Sequence, residues 1–187
     1  GILPMLEALA DASPPEEVQH AVLVQNRYPP TKWKSEARRV GVPFMLDDGV
    51  SHVQLLIRAL LAFPRTFLKV RKLAPDVLHS HTRGGMLMGR LLHLATGIPL
   101  VFTHHTYGKN KSRYRWKADS SRVANVYLTR HMLDYYRAEQ DVNARVISEC
   151  VPDNLKGGES DRIQEAGPVT FVGMGTYTPR KRWHLIP

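Results

Sequence analysis

A chain of 187 residues can fill one good-sized core and part of a second. Its 43% apolar and 23% charged residues are ordinary for a globular protein, and no apolar run nears the ~20 residues of a membrane span. The net charge of +9, from 26 Lys and Arg against 17 Asp and Glu, favours anionic partners such as phosphates, sugar nucleotides or acidic lipid surfaces. Cys150 is the single cysteine, which excludes an internal disulfide and suits a reducing compartment. Nothing in the chain reads as a signal peptide, so the expectation is a cytoplasmic protein.

Gly1 is followed at once by a predicted helix, Ile2 to Ala10, with Pro4 tolerated in its first turn. An α/β domain normally opens on a strand, so the sequence reads as truncated at its start. Ala21 to Gln25 is an apolar strand, Lys32 to Val40 a basic helix ended by Gly41, and Pro43 to Leu46 another short strand. Ser51 to Leu73 is a long helical segment that Pro64 is expected to kink or split, with Leu55, Leu56, Ala59, Leu60 and Phe63 on one stripe. Its second half carries Arg65, Lys69, Arg71 and Lys72 beside Phe67, Leu68 and Val70. A helix of that composition packs its apolar face on a sheet or lies on an anionic membrane, and the two are compatible if the basic flank faces outward.

The most informative stretch follows, from Pro75 to Thr106. Asp76 to His79 reads as a buried strand, and Thr82 as the cap of a helix starting at Arg83. Leu87, Met88, Leu91, Leu92 and Ala95 share a helical face, Gly97 stops the helix, and Ile98 to Phe102 is the next strand. Strand, helix and strand at this spacing make a crossover in a parallel sheet, so both strands end on one edge. They deliver His79 and His81 from the first and His104 and His105 from the second. Ligands bind at the carboxyl edge of open parallel sheets, which makes the four imidazoles the strongest functional signal. A cation- and aromatic-rich segment follows, Thr106 to Lys117, then strands at Ala124 to Thr129 and Arg145 to Ser148 around a helix from Arg130 to Glu139. Residues 156 to 167 read as a linker, Val169 opens a further strand, and the chain stops at Pro187 where another helix is due.

This order of elements resembles the N-terminal part of a retaining glycosyltransferase of family 4, with the GT-B fold. Gly1 looks like the end of that family's glycine-rich loop. Pro75-Asp-Val-Leu-His-Ser-His81 is similar to its "kPDvvHaH" strand, and Ile98-Pro-Leu-Val-Phe-Thr-His-His105 to the strand that ends in the family histidine. Val126-Tyr-Leu-Thr129, Val146-Ile-Ser-Glu-Cys-Val-Pro152 and Phe171-Val-Gly173 through Lys181 match three later pieces in the right order. The resemblance implies a doubly wound parallel α/β sheet, truncated at both ends. Residues 1–160 would be a Rossmann-like, acceptor-side domain lacking its first strand, and 161–187 a linker with the start of a nucleotide-sugar-binding domain.

The activity implied is sugar transfer from a nucleotide-sugar donor to a glycan or lipid-linked acceptor, retaining and metal-independent, with no cofactor. His105 would be the catalytic histidine, contacting the transferred sugar. Gly1, Gly173, Arg180 and Lys181 would hold the donor, the two cations facing its diphosphate. His81, Arg83, Lys109, Arg113 and Trp116, with Tyr114, would line the acceptor side. Met174 and Thr176 stand where the family usually has an arginine after the glycine, so either Arg180 or Arg182 replaces it or the donor site is altered. The acidic donor-site motif is expected beyond Pro187, which would leave this chain as a fragment, half of the enzyme. An envelope glycan on the inner face of the cell membrane is the expected setting, with an anionic membrane surface as partner and no nucleic acid. Two other readings remain at this stage. His79, His81, His104 and His105 could bind metal in a phosphoesterase or hydrolase, although Asp76 lies at the wrong end of its strand. A basic nucleic-acid-binding domain would also suit the charge, although no known motif accompanies it.

Overall fold

The structure, a computed structural model, describes residues 2–27, 35–43, 51–107, 122–138 and 141–148. The chain divides into two units after Cys150, and every described residue belongs to the first. In order the elements are α1 (Ile2–Ala12), β1 (Ala21–Gln25), β2 (Arg38–Val42), α2 (His52–Leu73), β3 (Leu78–Ser80), α3 (Arg83–Thr96), β4 (Leu100–His104), β5 (Val123–Tyr127), α4 (Arg130–Tyr136) and β6 (Ala144–Val146). All strand pairings are parallel. They form a two-stranded sheet, β1-β2, and a four-stranded sheet in the order β3-β4-β5-β6. This is the parallel α/β architecture expected from the alternation of strand and helix. Among the described residues no helix is long and apolar enough to cross a membrane.

One expected element is replaced. The basic helix from Lys32 to Val40 does not continue through Arg38-Arg39-Val40, because those residues are the start of β2. Val42 is fully buried there, and Val22, Val24 and Gln25 of β1 face Arg39, Gly41 and Val42 in register. Two β-branched valines suit a pleated surface better than a helix. Gly41 is therefore not a helix stop but a residue inside β2, where a Cβ would meet the Asn26 amide and oblige that side chain to move aside. Residues 44–50, which cover most of the expected strand at 43–46, lie outside the described residues.

α2 is one continuous helix with Pro64 inside it, not two. Ser51 and Gln54 form a reciprocal capping box at its start: the Gln54 N–H donates to Ser51 Oγ, and the Ser51 N–H to Gln54 Oε1. Its buried face is Leu55, Ala59, Ala62, Thr66 and Val70. The stripe expected from the sequence is thus rotated, with Leu56 and Leu60 exposed. Thr66 is tolerated inside because its hydroxyl donates to the Ala62 carbonyl at 2.9 Å.

Helices α2, α3 and α4 pack on one face of the four-stranded sheet. Leu78 sits opposite Leu100, Ser80 opposite Phe102 and His104 opposite Tyr127, so these residues share that face. The buried residues of α2 join Met88 and Leu92 of α3 over Leu78 and Leu100. Met132, Leu133 and Tyr136 of α4 join Met86 over Phe102 and Tyr127. On the α3 helix, Ala95 of the expected stripe is exposed, while Gly85, Met86 and Gly89 are buried. Residues of the opposite sheet face are less covered: Val101, Ala124 and Val126 are half-buried and His79 is exposed.

α3 lies unusually close to the strands. A Cβ on Gly89 would stand 2.3 Å from Ser80 Oγ and 3.1 Å from Leu100 Cδ1. Ser80 has little room to yield, because its buried hydroxyl donates to the Gly85 carbonyl at 3.0 Å. Gly89→Ala should therefore destabilise the domain by about 1–3 kcal/mol through overpacking, although alanine is the better helix former. A urea midpoint equal to or above that of the unsubstituted chain would show that the helix can back away freely.

Candidate functional site

The carboxyl ends of β3 and β4 hold the histidines, and side-chain alternation sorts them onto two faces. His79, on the face opposite α2 to α4, bonds through Nε2 to Thr103 Oγ1 at 2.8 Å. Its ring lies 4.0 Å from that of His81, and His81 Nδ1 bonds His105 Nε2 at 3.1 Å. His79, His81, Thr103 and His105 thus form one cluster on the less covered face, where the two strands run into loops. His81 and His105 are both half-buried.

His104 leaves this cluster, against expectation. It is 2% exposed, stacked on Tyr127 with centroids 4.6 Å apart, edge-on to Phe102 at 4.4 Å and beside Tyr136 at 4.8 Å. Its Nε2–H donates to Asn125 Oδ1 at 3.2 Å, and Asn125 Nδ2 donates in turn to Asp141 Oδ2 at 3.2 Å. A buried imidazole in an aromatic cage, with its proton assigned by an amide, is part of the core. The four-histidine edge is a three-histidine cluster with one structural neighbour.

The electrostatics favour neutral rings. Burial holds His81 down to about 3, with charge on His79 and then on His105 adding to the effect. Desolvation also lowers His79, followed by charge on His105 and His20; the residue is exposed overall, but its ring end is tucked against Thr103 and His81. The His81–His105 bond needs an N–H on one ring and a lone pair on the other. Among the described residues no three His, Cys, Asp or Glu side chains are grouped so as to hold a metal ion.

The segment that carries His105 is tied down from α4. Tyr136, buried under the sheet, donates its hydroxyl to the Thr106 carbonyl at 3.0 Å. Tyr107 bonds His131 Nδ1 through its hydroxyl at 2.9 Å and packs edge-on against Tyr135. Thr103, Tyr107, Tyr136 and His131 were not among the residues singled out by the sequence. His131 reads there as a plain surface residue; only the 24-residue return of the chain brings it to Tyr107.

Of the other residues the sequence nominates, Arg83 is the first residue of α3. Thr82 caps that helix as expected, its hydroxyl accepting from the Gly85 N–H at 2.9 Å. Gly1, Lys109, Arg113, Tyr114, Trp116, Gly173, Arg180 and Lys181 lie outside the described residues.

His104 makes a pH prediction. Burial first, opposed by the bond to Asn125 and reinforced by charge on His105, lowers it to about 4. Between about pH 6.5 and pH 4 the unfolded chain binds the proton that the folded chain refuses, so stability rises with pH in that window. The contribution is complete above about pH 6.5, is lost on acidification towards pH 4, and amounts to about 3 kcal/mol. Thermal melts from pH 7.5 to pH 4.5 should show the fall, and His104→Gln, which keeps a donor but cannot titrate, should make it shallower, the remainder coming from the similarly lowered His81 and His79. Parallel pH profiles for the two chains would remove His104 as the cause.

A cluster of imidazoles at the carboxyl edge of a parallel sheet can exchange hydrogen bonds with a polar ligand. No curated protein matches the chain. The family model of Glycosyltransferase Family 4 matches residues 8–154, a span that contains β1 through β6 and the whole histidine cluster. The chain belongs to glycosyltransferase family 4.

Proposed function

We propose that this chain carries the acceptor-side domain of a retaining, metal-independent glycosyltransferase that moves a sugar from a nucleotide sugar to a glycan or lipid-linked acceptor. The observation that carries the reading is the His81–His105 pair, set at the end of β3 and β4 inside the family match. In the transfer, the bond from the anomeric carbon to the diphosphate breaks, one to an acceptor oxygen forms, and the acceptor's hydroxyl proton passes to the departing diphosphate. Negative charge gathers on the departing diphosphate and positive charge on the sugar ring.

A neutral imidazole at His81 suits the sugar side of that reaction. His105, hydrogen-bonded to His81, is held in one orientation and hydrogen-bonds a hydroxyl of the transferred sugar. A cation at that point would oppose the developing ring charge. The His81 ring, kept neutral by burial and by its neighbours, guards against this. Lys181, helped by Arg180 or Arg182, would neutralise the diphosphate in place of a metal ion. Lys109, Arg113 and Trp116 would meet the acceptor, with His81 and Arg83 at the same border.

The test uses the purified protein with a panel of nucleotide sugars. His105→Ala should lower kcat on the order of 10²-fold or more if its bond strengthens in the transition state. Lys181→Ala should both weaken nucleotide-sugar binding and slow transfer, since its charge acts in both states. Activity should survive chelator. Stoichiometric zinc or manganese in the purified protein, lost on replacing His79 or His81, would overturn the metal-independent mechanism.

A further inference from the structure

We propose that α2 is a docking helix for an anionic lipid bilayer, its outer apolar ridge entering the headgroup boundary while a flanking row of cations meets the lipid phosphates. α2 has two apolar faces. One, described above, is buried on the sheet and α3. The other consists of Val53, Leu56, Ile57, Leu60, Leu61 and Leu68, six of the fourteen exposed large apolar residues among those described. Leu61 is 76% exposed, Val53 67% and Leu68 64%, so these side chains stand clear of the domain. Their spacing of three and four residues keeps them on one side of the helix, and exposed Pro64 fills the step between Leu61 and Leu68. A contiguous apolar ridge along a helix about 33 Å long is more than scattered surface leucines.

Charge decides what covers the ridge. Arg58, Arg65, Lys69 and Lys72 recur at helical spacing along the flank between the ridge and the buried face, and all are exposed. Lys69 also donates to the Gly41 carbonyl, which keeps its chain along that flank. Arg71, at the end of the helix, sits over the Phe67 ring at 5.8 Å. α2 contains no Asp or Glu. A protein partner would need an acidic strip beside an apolar groove of the same length, whereas an anionic bilayer offers both chemistries everywhere on its surface. A span is excluded for this helix, so the ridge lies in the plane of the interface.

The proposal does not depend on sugar transfer, and its test reads binding alone, so the two can fail separately. The full chain is sedimented with vesicles of phosphatidylcholine, with and without phosphatidylglycerol. Binding should occur only with the anionic lipid and weaken with added salt. Leu61→Gln with Leu68→Gln alters outward-facing side chains, so folding, checked by circular dichroism and urea midpoint, should be kept while binding falls at least about tenfold. Arg65→Gln with Lys72→Gln should weaken binding by about fivefold for each charge removed. Absence of binding to either vesicle, equal binding to both, or unchanged binding of the two double variants would each overturn the proposal. So would self-association of the unsubstituted chain that the leucine pair abolishes without vesicle binding, because the ridge would then be a contact between copies.

Discussion

The parallel register of β3 on β4, with Leu78 opposite Leu100, settles which side of the sheet every residue of the two strands takes. Even-numbered residues from Leu78 to His104 turn towards α2, α3 and α4; odd-numbered ones turn away. A shift of one residue would send Leu78, Leu100 and Phe102 to the less covered face and bring His79 and Thr103 into the core. The apolar cost of that exchange is large, so the register is strongly held. The histidine cluster inherits its geometry from this constraint rather than from any bond among the histidines themselves.

Two adjacent residues show how far the constraint reaches. His104 and His105 follow one another, yet one is caged by Phe102, Tyr127 and Tyr136 while the other meets His81 on the opposite side. The buried ring has its proton directed by Asn125, which Asp141 steadies in turn. That chain links the end of β4 through β5 to the turn before β6. Tyr136 serves the same region from the helix side, through the Thr106 carbonyl. The site is thus a rigid sheet edge with its outgoing segment pinned to the neighbouring helix. Such support is what a hydrogen-bonding residue needs if its donor is to meet a sugar hydroxyl within a few tenths of an ångström.

α2 expresses a different economy of sequence. Its 22 residues contain enough leucine for two apolar faces, and only one of them is needed to hold the fold. Short residues, Ala59 and Ala62, occupy the buried side and let the helix sit close to its neighbours, while the bulky leucines at 60 and 61 point outward. A helix designed only for packing would place them the other way round. The outward leucines and the acid-free cationic flank belong together as a surface that a sheet-packing helix does not need.

Local chemistry in the sequence was enough to determine the alternating α/β order, the Thr82 cap, the Gly97 stop, and the delivery of histidines to one sheet edge. Each depends on residues a few positions apart, where propensity and periodicity act directly. The Ser51–Gln54 capping box is equally local, a serine three residues before a glutamine. Tertiary structure decided the rest. Arg38 to Val42 is a strand because β1 lies beside it and Val42 finds a buried place, although the basic run ahead of it reads as helical. Which stripe of α2 is buried depended on how the sheet and α3 meet it, since two apolar stripes compete within one helix. Only the register divided His104 from His105, and only the return of α4 brought Tyr136 and His131 to the loop after β4. These are contacts between residues far apart in sequence, and no local pattern encodes which of several apolar or polar surfaces will be the one that meets its partner.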